Sequence, residues 1–109
     1  MKKLLALSIA AMIAAALSAR AEEAKAIYEN SCAKCHGTDG KGQTKMGQKL
    51  NIKDFSDAKV QASFTDEQAF KALKEGLKDA DDKTRMKPVE NLSDDDIKAL
   101  VKYFRTLKQ

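Results

Sequence analysis

The stretch Cys32-Ala33-Lys34-Cys35-His36 constrains this chain more than any other feature, because it holds both cysteines and the only histidine. Two cysteines at this spacing can form a disulfide, half of a zinc site or a thioredoxin-like redox pair. A histidine directly after them adds a fourth interpretation, covalent attachment of haem. The four interpretations differ in what the remaining sequence must supply.

The start of the chain has the composition of a targeting segment. Two lysines come first, an uncharged run extends from Leu4 to Leu17, and small residues follow at Ala19 and Ala21, as in a secretory signal peptide. The uncharged run has ~14 residues, fewer than the ~20 that cross a bilayer as a helix, although an uncleaved anchor is the alternative. We expect a cleaved signal peptide at residues 1–21, a mature periplasmic domain at 22–109, and no stable membrane insertion after cleavage.

The charge of the whole chain is dominated by this targeting segment. The sequence has 20 Lys and Arg against 16 Asp and Glu, a net charge of +4. Without the three basic residues of the first 21 positions, 17 remain against 16, which leaves about +1. We therefore expect no nucleic-acid partner. The remaining ~88 residues make one small domain, and a core of that size often needs a covalent or metal-based cross-link for stability.

Three segments of the mature chain have the apolar periodicity of helices. The first runs from Glu23 to Ser31 and leads into the cysteine motif. The second follows Thr65, which with Gln68 has the pattern of a capping box. Its expected apolar face consists of Phe70, Leu73 and Leu77. The third follows the helix-capping residue Ser93. Its expected apolar face consists of Ile97, Leu100, Val101, Phe104 and Leu107.

Two long connections, residues 37–63 and 79–92, separate these helices. We expect only a short helix within them, near Asp57 to Ala62. Their apolar residues are too sparse to form a core, and such long loops are unusual unless they are functional. A large, flat, hydrophobic cofactor would give them a surface to pack on. No segment has the alternating pattern of a long strand, so the sequence predicts an all-α domain of three to four helices with long loops.

The rest of the chain favours haem over the other interpretations of the cysteine motif. A structural zinc site needs four ligands, and here three neighbouring residues would have to combine with a distant carboxylate. A thioredoxin-like pair needs a βαβ context, which the sequence pattern does not contain. A plain disulfide leaves the histidine unexplained. We predict that Cys32 and Cys35 hold haem c through two thioethers and that His36 coordinates its iron.

A second axial ligand must come from elsewhere, since there is no second histidine. The mature chain has two methionines. Met46 lies too close after His36 for a comfortable return to the opposite haem face, and we expect it to be a packing residue. Met86 lies much farther along, in the loop before the last helix. Because histidine and methionine are a known haem pairing, we predict Met86 as the second iron ligand.

These features resemble the class I c-type cytochromes, small exported electron carriers with a single haem. The resemblance covers the helix before CAKCH, the loop GTDGKGQTKMGQKL and the end MKPVENLSDDDIKALVKYFRTLKQ. It implies a cytochrome c-like fold wrapped around one covalently bound haem per chain, with the attachment and ligand residues already named. It also implies that the helix at Glu23–Ser31 crosses the helix at Asp94–Lys108. Residues expected to meet at the crossing are Ile27, Tyr28, Leu100, Val101 and Phe104.

The chain departs from the family pattern at three points. Many members have a proline after the haem motif whose carbonyl accepts a hydrogen bond from the ligand histidine, and here the only proline is Pro88. Lys87 separates Met86 from that proline, and the chain has no tryptophan. A hydrogen-bond acceptor that orients His36 is still expected.

The resemblance implies a one-electron carrier between redox proteins rather than an enzyme, since two axial ligands leave the iron no open position. Two alternatives are a haem enzyme or gas sensor in which Met86 dissociates, and a haem subunit of a periplasmic oxidoreductase. We expect a monomer whose partners dock at a lysine-lined haem edge. The basic residues of this edge are Lys34, Lys41, Lys45, Lys49, Lys53, Lys83, Arg85 and Lys87.

Overall fold

The backbone is helical along most of its length. The computed structural model describes the backbone of residues 2–109 and the side chains of residues 9–13 and 19–109. Its elements in chain order are helix α1 (Lys2–Ile27), a π-helical turn (Tyr28–Cys32), α2 (Ala33–His36), α3 (Lys45–Lys49), α4 (Ala58–Ala62), α5 (Asp66–Glu75), strands β1 (Leu77–Lys78) and β2 (Thr84–Met86), and α6 (Asp94–Thr106). Within the described residues, no helix is both long and apolar enough to cross a membrane.

The core lies where the end of α1 and the π-helical turn pack against α6. The Tyr28 ring is fully buried, and its centroid lies 5.2 Å from that of Phe104 in an edge-on arrangement. Ile27 packs against the same core from outside. The remaining buried apolar residues among the described side chains are Ala24, Leu73, Ile97, Leu100, Val101 and Leu107. The predicted crossing of the first and last helices is therefore confirmed.

The predicted helix starts are confirmed at α5 and α6. Thr65 accepts a hydrogen bond from the Gln68 amide, while the Gln68 side chain accepts one from the Thr65 amide. Ser93 and Asp96 form the same reciprocal pair at α6. The short helix expected near Asp57 is also present, with the Asp57 carboxylate accepting from the backbone of α4. These caps satisfy amide groups that a helix start leaves without partners.

The predicted place of Leu77 on the apolar face of α5 is wrong. Helix α5 ends at Glu75 because Gly76 adopts φ +79°, outside the right-handed helical region. Leu77 therefore lies in β1, opposite Met86 of β2, and its side chain is 48% exposed. The two strands are too short to give an alternating sequence pattern, which explains why a helical continuation was expected there.

The first long connection is more structured than expected, because α3 lies within it as well as α4. The Thr44 hydroxyl caps α3 by accepting a hydrogen bond from the Gly47 amide at 2.9 Å. Gly40 accepts a hydrogen bond from the Phe55 amide at 2.8 Å, so the connection folds back on itself. It thereby brings Phe55 to the edge of the core.

Candidate haem-binding site

The cysteine motif lies on the π-helical turn and α2. Cys32 ends the turn, and Cys35 and His36 follow on α2, so three predicted site residues share one short segment. Both thiols are unpaired and half-buried. A π-helical turn changes the direction of side chains along a helix and often occurs at functional sites.

Backbone contacts fix the segment around the motif. The Thr44 hydroxyl donates to the Cys35 carbonyl at 2.5 Å, and the Gly42 amide donates to the His36 carbonyl at 2.8 Å. Gly47 packs so closely that a Cβ there would lie 2.6 Å from the Cys35 carbonyl oxygen. The loop after the motif therefore holds the backbone that carries the thiols and the imidazole.

The imidazole of His36 is enclosed by aromatic rings. Its centroid lies 5.4 Å from the rings of both Phe55 and Phe104, edge-on to each. Its Nδ1 atom is buried and has no hydrogen-bond partner among the described residues. Burial lowers the pKa of His36, which favours the neutral imidazole, the form that binds metals.

The thiol of Cys32 is also affected by its surroundings. Burial, with a smaller contribution from Cys35, raises the pKa of Cys32 to about 11. The thiol is therefore protonated at neutral pH in the free protein. A thioether at this position carries no ionisable proton, so attachment of the sulfur to haem suits a site that disfavours thiolate.

Met86 reaches the same core from a different part of the chain. It lies at the end of β2 and packs, half-buried, against the hydrophobic cluster that Cys32 also contacts. The segment is held on one side by a hydrogen bond from the Val89 amide to the Leu73 carbonyl at 2.9 Å. On the other side, Arg85 donates to the carbonyl of Leu50.

Met46, the other methionine of the mature chain, occupies a different setting. It lies on α3, and its side chain is 38% exposed. The structure thus gives the two methionines distinct environments. Met86 lies on the core that contains Phe104, a neighbour of the His36 ring, whereas Met46 is exposed to solvent.

Comparison with known proteins decides which family the chain represents. Residues 21–108 match the family model described as Cytochrome c. The chain belongs to the cytochrome c family. Its structure is also similar to that of the KustC0563 c-type cytochrome, with a TM-score of 0.66 and 34% sequence identity over 78% of this chain and 96% of that one. No curated protein matches the sequence.

Membership confirms the predicted resemblance, the cytochrome c-like fold and the cofactor, a covalently attached haem c. This c-type cytochrome is thus a haem-containing protein of a family of electron carriers. Its own residues fit that cofactor. Two thiols adjoin an imidazole whose lowered pKa favours the neutral form, and the thioether of Met86 lies on the shared core. Sulfur and imidazole donors are those used by haem proteins.

The sequence did not indicate which residues surround the imidazole of this cytochrome. The sequence places Phe55 in a long connection and Phe104 on the apolar face of the last helix, at its crossing with the first, but links neither residue to His36. Gln61 and Arg105, which connect these two segments, carried no sequence signal. Contacts between residues about forty positions apart depend on the tertiary fold, so local periodicity cannot reveal them.

Proposed function

We propose that this protein is a periplasmic one-electron carrier in which His36 and Met86 are the axial ligands of haem c. The observation that carries the proposal is the convergence of these two residues on one hydrophobic cluster. His36 packs on Phe104, a member of the cluster, and Met86 packs on the cluster from β2. This shared packing supports the proposed ligand pair.

The chemistry of the two donors supports electron transfer. Bound haem supplies an iron that gains or loses one electron. The neutral imidazole of His36 offers a nitrogen donor held between two aromatic rings. The softer thioether of Met86 favours the ferrous state relative to a second histidine. Ligands held by packed elements need little rearrangement when the oxidation state changes, which suits a carrier.

Partner docking belongs to the same proposal. Six lysines of the predicted docking edge are exposed, and they form no ion pair among the described residues. They are Lys34, Lys45, Lys49, Lys53, Lys83 and Lys87. Lysines gathered at the haem edge would steer a negatively charged redox partner. The rate of electron transfer should then fall as ionic strength rises, and a flat response would argue against steering.

The ligand assignment is tested with matched methionine variants of the holoprotein. Met86→Ala should change the oxidised and reduced absorption spectra, shift the reduction potential and let the ferrous protein bind carbon monoxide. Met46→Ala, which alters a half-exposed side chain of the same type, should do none of these. A Met86→Ala spectrum and potential equal to those of the parent would show that Met86 is not the ligand.

The same experiment separates the carrier from a gas-binding protein. Strand β2 is short and mostly exposed, and Lys87 separates Met86 from the rigid Pro88, which are the features that favour a labile methionine. A parent protein that resists carbon monoxide supports the carrier. Rapid binding by the parent would favour the sensor or enzyme instead.

A further inference from the structure

Gln61 is a buried polar residue that links two distant segments of the chain. Its side chain is on α4 and is only 5% exposed. Its amide nitrogen donates to the carbonyl of Phe55 at 2.6 Å and to the carbonyl of Phe104 at 2.9 Å. Both protons of the side-chain amide are thus used, as burial requires.

The two carbonyl groups belong to the residues whose rings enclose the imidazole. Phe55 and Phe104 lie edge-on to His36 and edge-on to each other, with a centroid separation of 5.4 Å in every pair. The side-chain amide of Gln61 therefore fixes the backbone of both Phe55 and Phe104. A change in either hydrogen bond would move a ring that touches the imidazole.

Arg105 fixes the orientation of that amide. Its Nη1 atom donates to the side-chain oxygen of Gln61 at 3.0 Å, so the amide nitrogen must face the two carbonyls. Arg105 is itself held by the Asp66 carboxylate at 2.8 Å, by the Phe64 carbonyl at 2.8 Å and by stacking of its guanidinium 4.3 Å from the Phe64 ring centroid. The amide is thus locked in one orientation.

Packing determines the orientation of the His36 ring, because Nδ1 has no hydrogen-bond partner among the described residues. Ligand histidines are usually oriented by a hydrogen bond to the nitrogen that does not bind metal. Here the contacts that hold the ring are the edges of Phe55 and Phe104.

We propose that Gln61 is a positioning residue for the iron ligand. By fixing the backbone of Phe55 and Phe104, it sets the orientation of the His36 imidazole and thereby the electronic state of the haem iron. This inference rests on the proposed role of His36 as an axial ligand. Arg105 supports it by holding the Gln61 amide.

The test compares two glutamine-to-methionine variants of the holoprotein. Gln61→Met keeps a side chain of similar length but removes the amide. Gln68→Met, the control, removes an exposed glutamine that caps α5. Proton NMR of the ferric protein reports the orientation of the axial imidazole through the shifted haem methyl signals, and electrochemistry gives the potential. We expect Gln61→Met alone to rearrange the methyl signals and to change the ferric–ferrous equilibrium at least threefold, about 30 mV for one electron.

Each outcome has a distinct meaning. If Gln61→Met lowers only the unfolding free energy, and the methyl signals and potential match those of the parent, Gln61 is structural and the inference is wrong. If that variant yields no holoprotein, Arg105→Met provides the test, with a smaller rearrangement of the same pattern expected and an unchanged spectrum contradicting the inference. A parent spectrum without a coordinated imidazole would overturn the proposed function as well.

Discussion

The hydroxyl group of Thr44 has two roles in the structure. It accepts a hydrogen bond from the Gly47 amide at the start of α3 and donates to the Cys35 carbonyl at 2.5 Å. Thr44→Val keeps the shape of the side chain but leaves both groups without a partner. We expect the holoprotein to lose about 1–2 kcal/mol of unfolding free energy, measured by denaturant titration.

A matched threonine gives the control for this prediction. Thr106 donates to the carbonyl of Tyr103 from an exposed position in the last turn of α6. Thr106→Val should cost less than about 0.5 kcal/mol, because water replaces an exposed partner. Equal losses in the two variants would show that the contact with Cys35 adds nothing.

Tyr28 makes the unfolding free energy of the protein depend on pH in the alkaline range. Burial, with smaller contributions from Cys32, Tyr103 and Asp39, raises the pKa of the Tyr28 hydroxyl above its ordinary value. Above about pH 10 the unfolded chain releases this proton while the folded protein keeps it, so the unfolding free energy falls as pH rises. The hydrogen bond from Tyr28 to the Gly37 carbonyl contributes about 1 kcal/mol below that pH.

Tyr28→Phe isolates this effect. At neutral pH the variant should be less stable than the parent, because the Gly37 carbonyl loses the shorter of its two hydrogen bonds and keeps only that from the Gly40 amide at 3.2 Å. The difference should shrink between about pH 9 and pH 11, since only the parent carries the buried hydroxyl. The parent and the variant share the lysines and Tyr103, so these residues do not account for the difference in stability. Denaturant unfolding across this range measures the difference, and a constant value would contradict the raised pKa.

At the residue scale, the sequence predicted the attachment motif but not its surroundings. Cys32, Cys35 and His36 are adjacent in the chain, so their joint role could be read from their order. The neighbours of the imidazole, Phe55 and Phe104, come from different segments. Their meeting depends on how the first long connection folds back, which composition alone does not specify.

At the element scale, Gly76 controls the segment that carries Met86. Its backbone, with φ +79° and ψ −179°, lies in a region that costs other residues about 1–3 kcal/mol. A Cβ at this position would also lie 2.6 Å from the Met86 carbonyl oxygen and 2.9 Å from Pro88. Gly76→Ala should therefore displace β2, lower the unfolding free energy and speed the binding of carbon monoxide to the ferrous holoprotein, as measured by stopped-flow absorption.

Gly40→Ala is the matched control for that displacement. Gly40 has a similar φ of +76°, but a Cβ there would meet the flexible side chain of Leu107 at 2.9 Å. We expect a loss of stability without faster ligand binding. If both variants bound carbon monoxide equally fast, general loosening rather than displacement of the Met86 segment would be responsible.

Local signals predicted the helices well and the hairpin poorly. Thr65 and Ser93 mark helix starts because a short polar side chain satisfies amide groups within the same segment. The end of α5 is different, because a glycine within an apolar helical pattern does not by itself end a helix. What matters at Gly76 is its close contact with the Met86 segment, which lies elsewhere in the chain. The position of Leu77 was therefore decided by tertiary structure rather than by periodicity.

At the scale of the whole molecule, the described side chains of α1 change from exposed to buried near the predicted cleavage point. Ile9, Met12 and Ile13 are exposed, and Ala24 is the first buried residue among the described side chains of this helix. Before Ala24, Arg20 forms ion pairs with Asp95 at 3.8 Å and with Asp96 at 3.5 Å. Arg20 and Asp95 are exposed at these pairs, whereas the Asp96 side chain is 23% exposed. Among the described side chains, the domain core therefore begins within the part of the chain that is predicted to remain after cleavage.

Removal of residues 1–21 should accordingly leave the stability of the haem domain almost unchanged. Exposed ion pairs contribute about 0–1 kcal/mol, so holoprotein that begins at Glu22 should match the uncleaved chain within about 1 kcal/mol in denaturant unfolding. Mass spectrometry of exported holoprotein should find Glu22 as the first residue. The Arg20→Ala variant of the uncleaved chain controls for the ion pairs alone. If cleavage lowered the unfolding free energy by several kcal/mol and Arg20→Ala did not, residues 1–21 would be part of the folded domain.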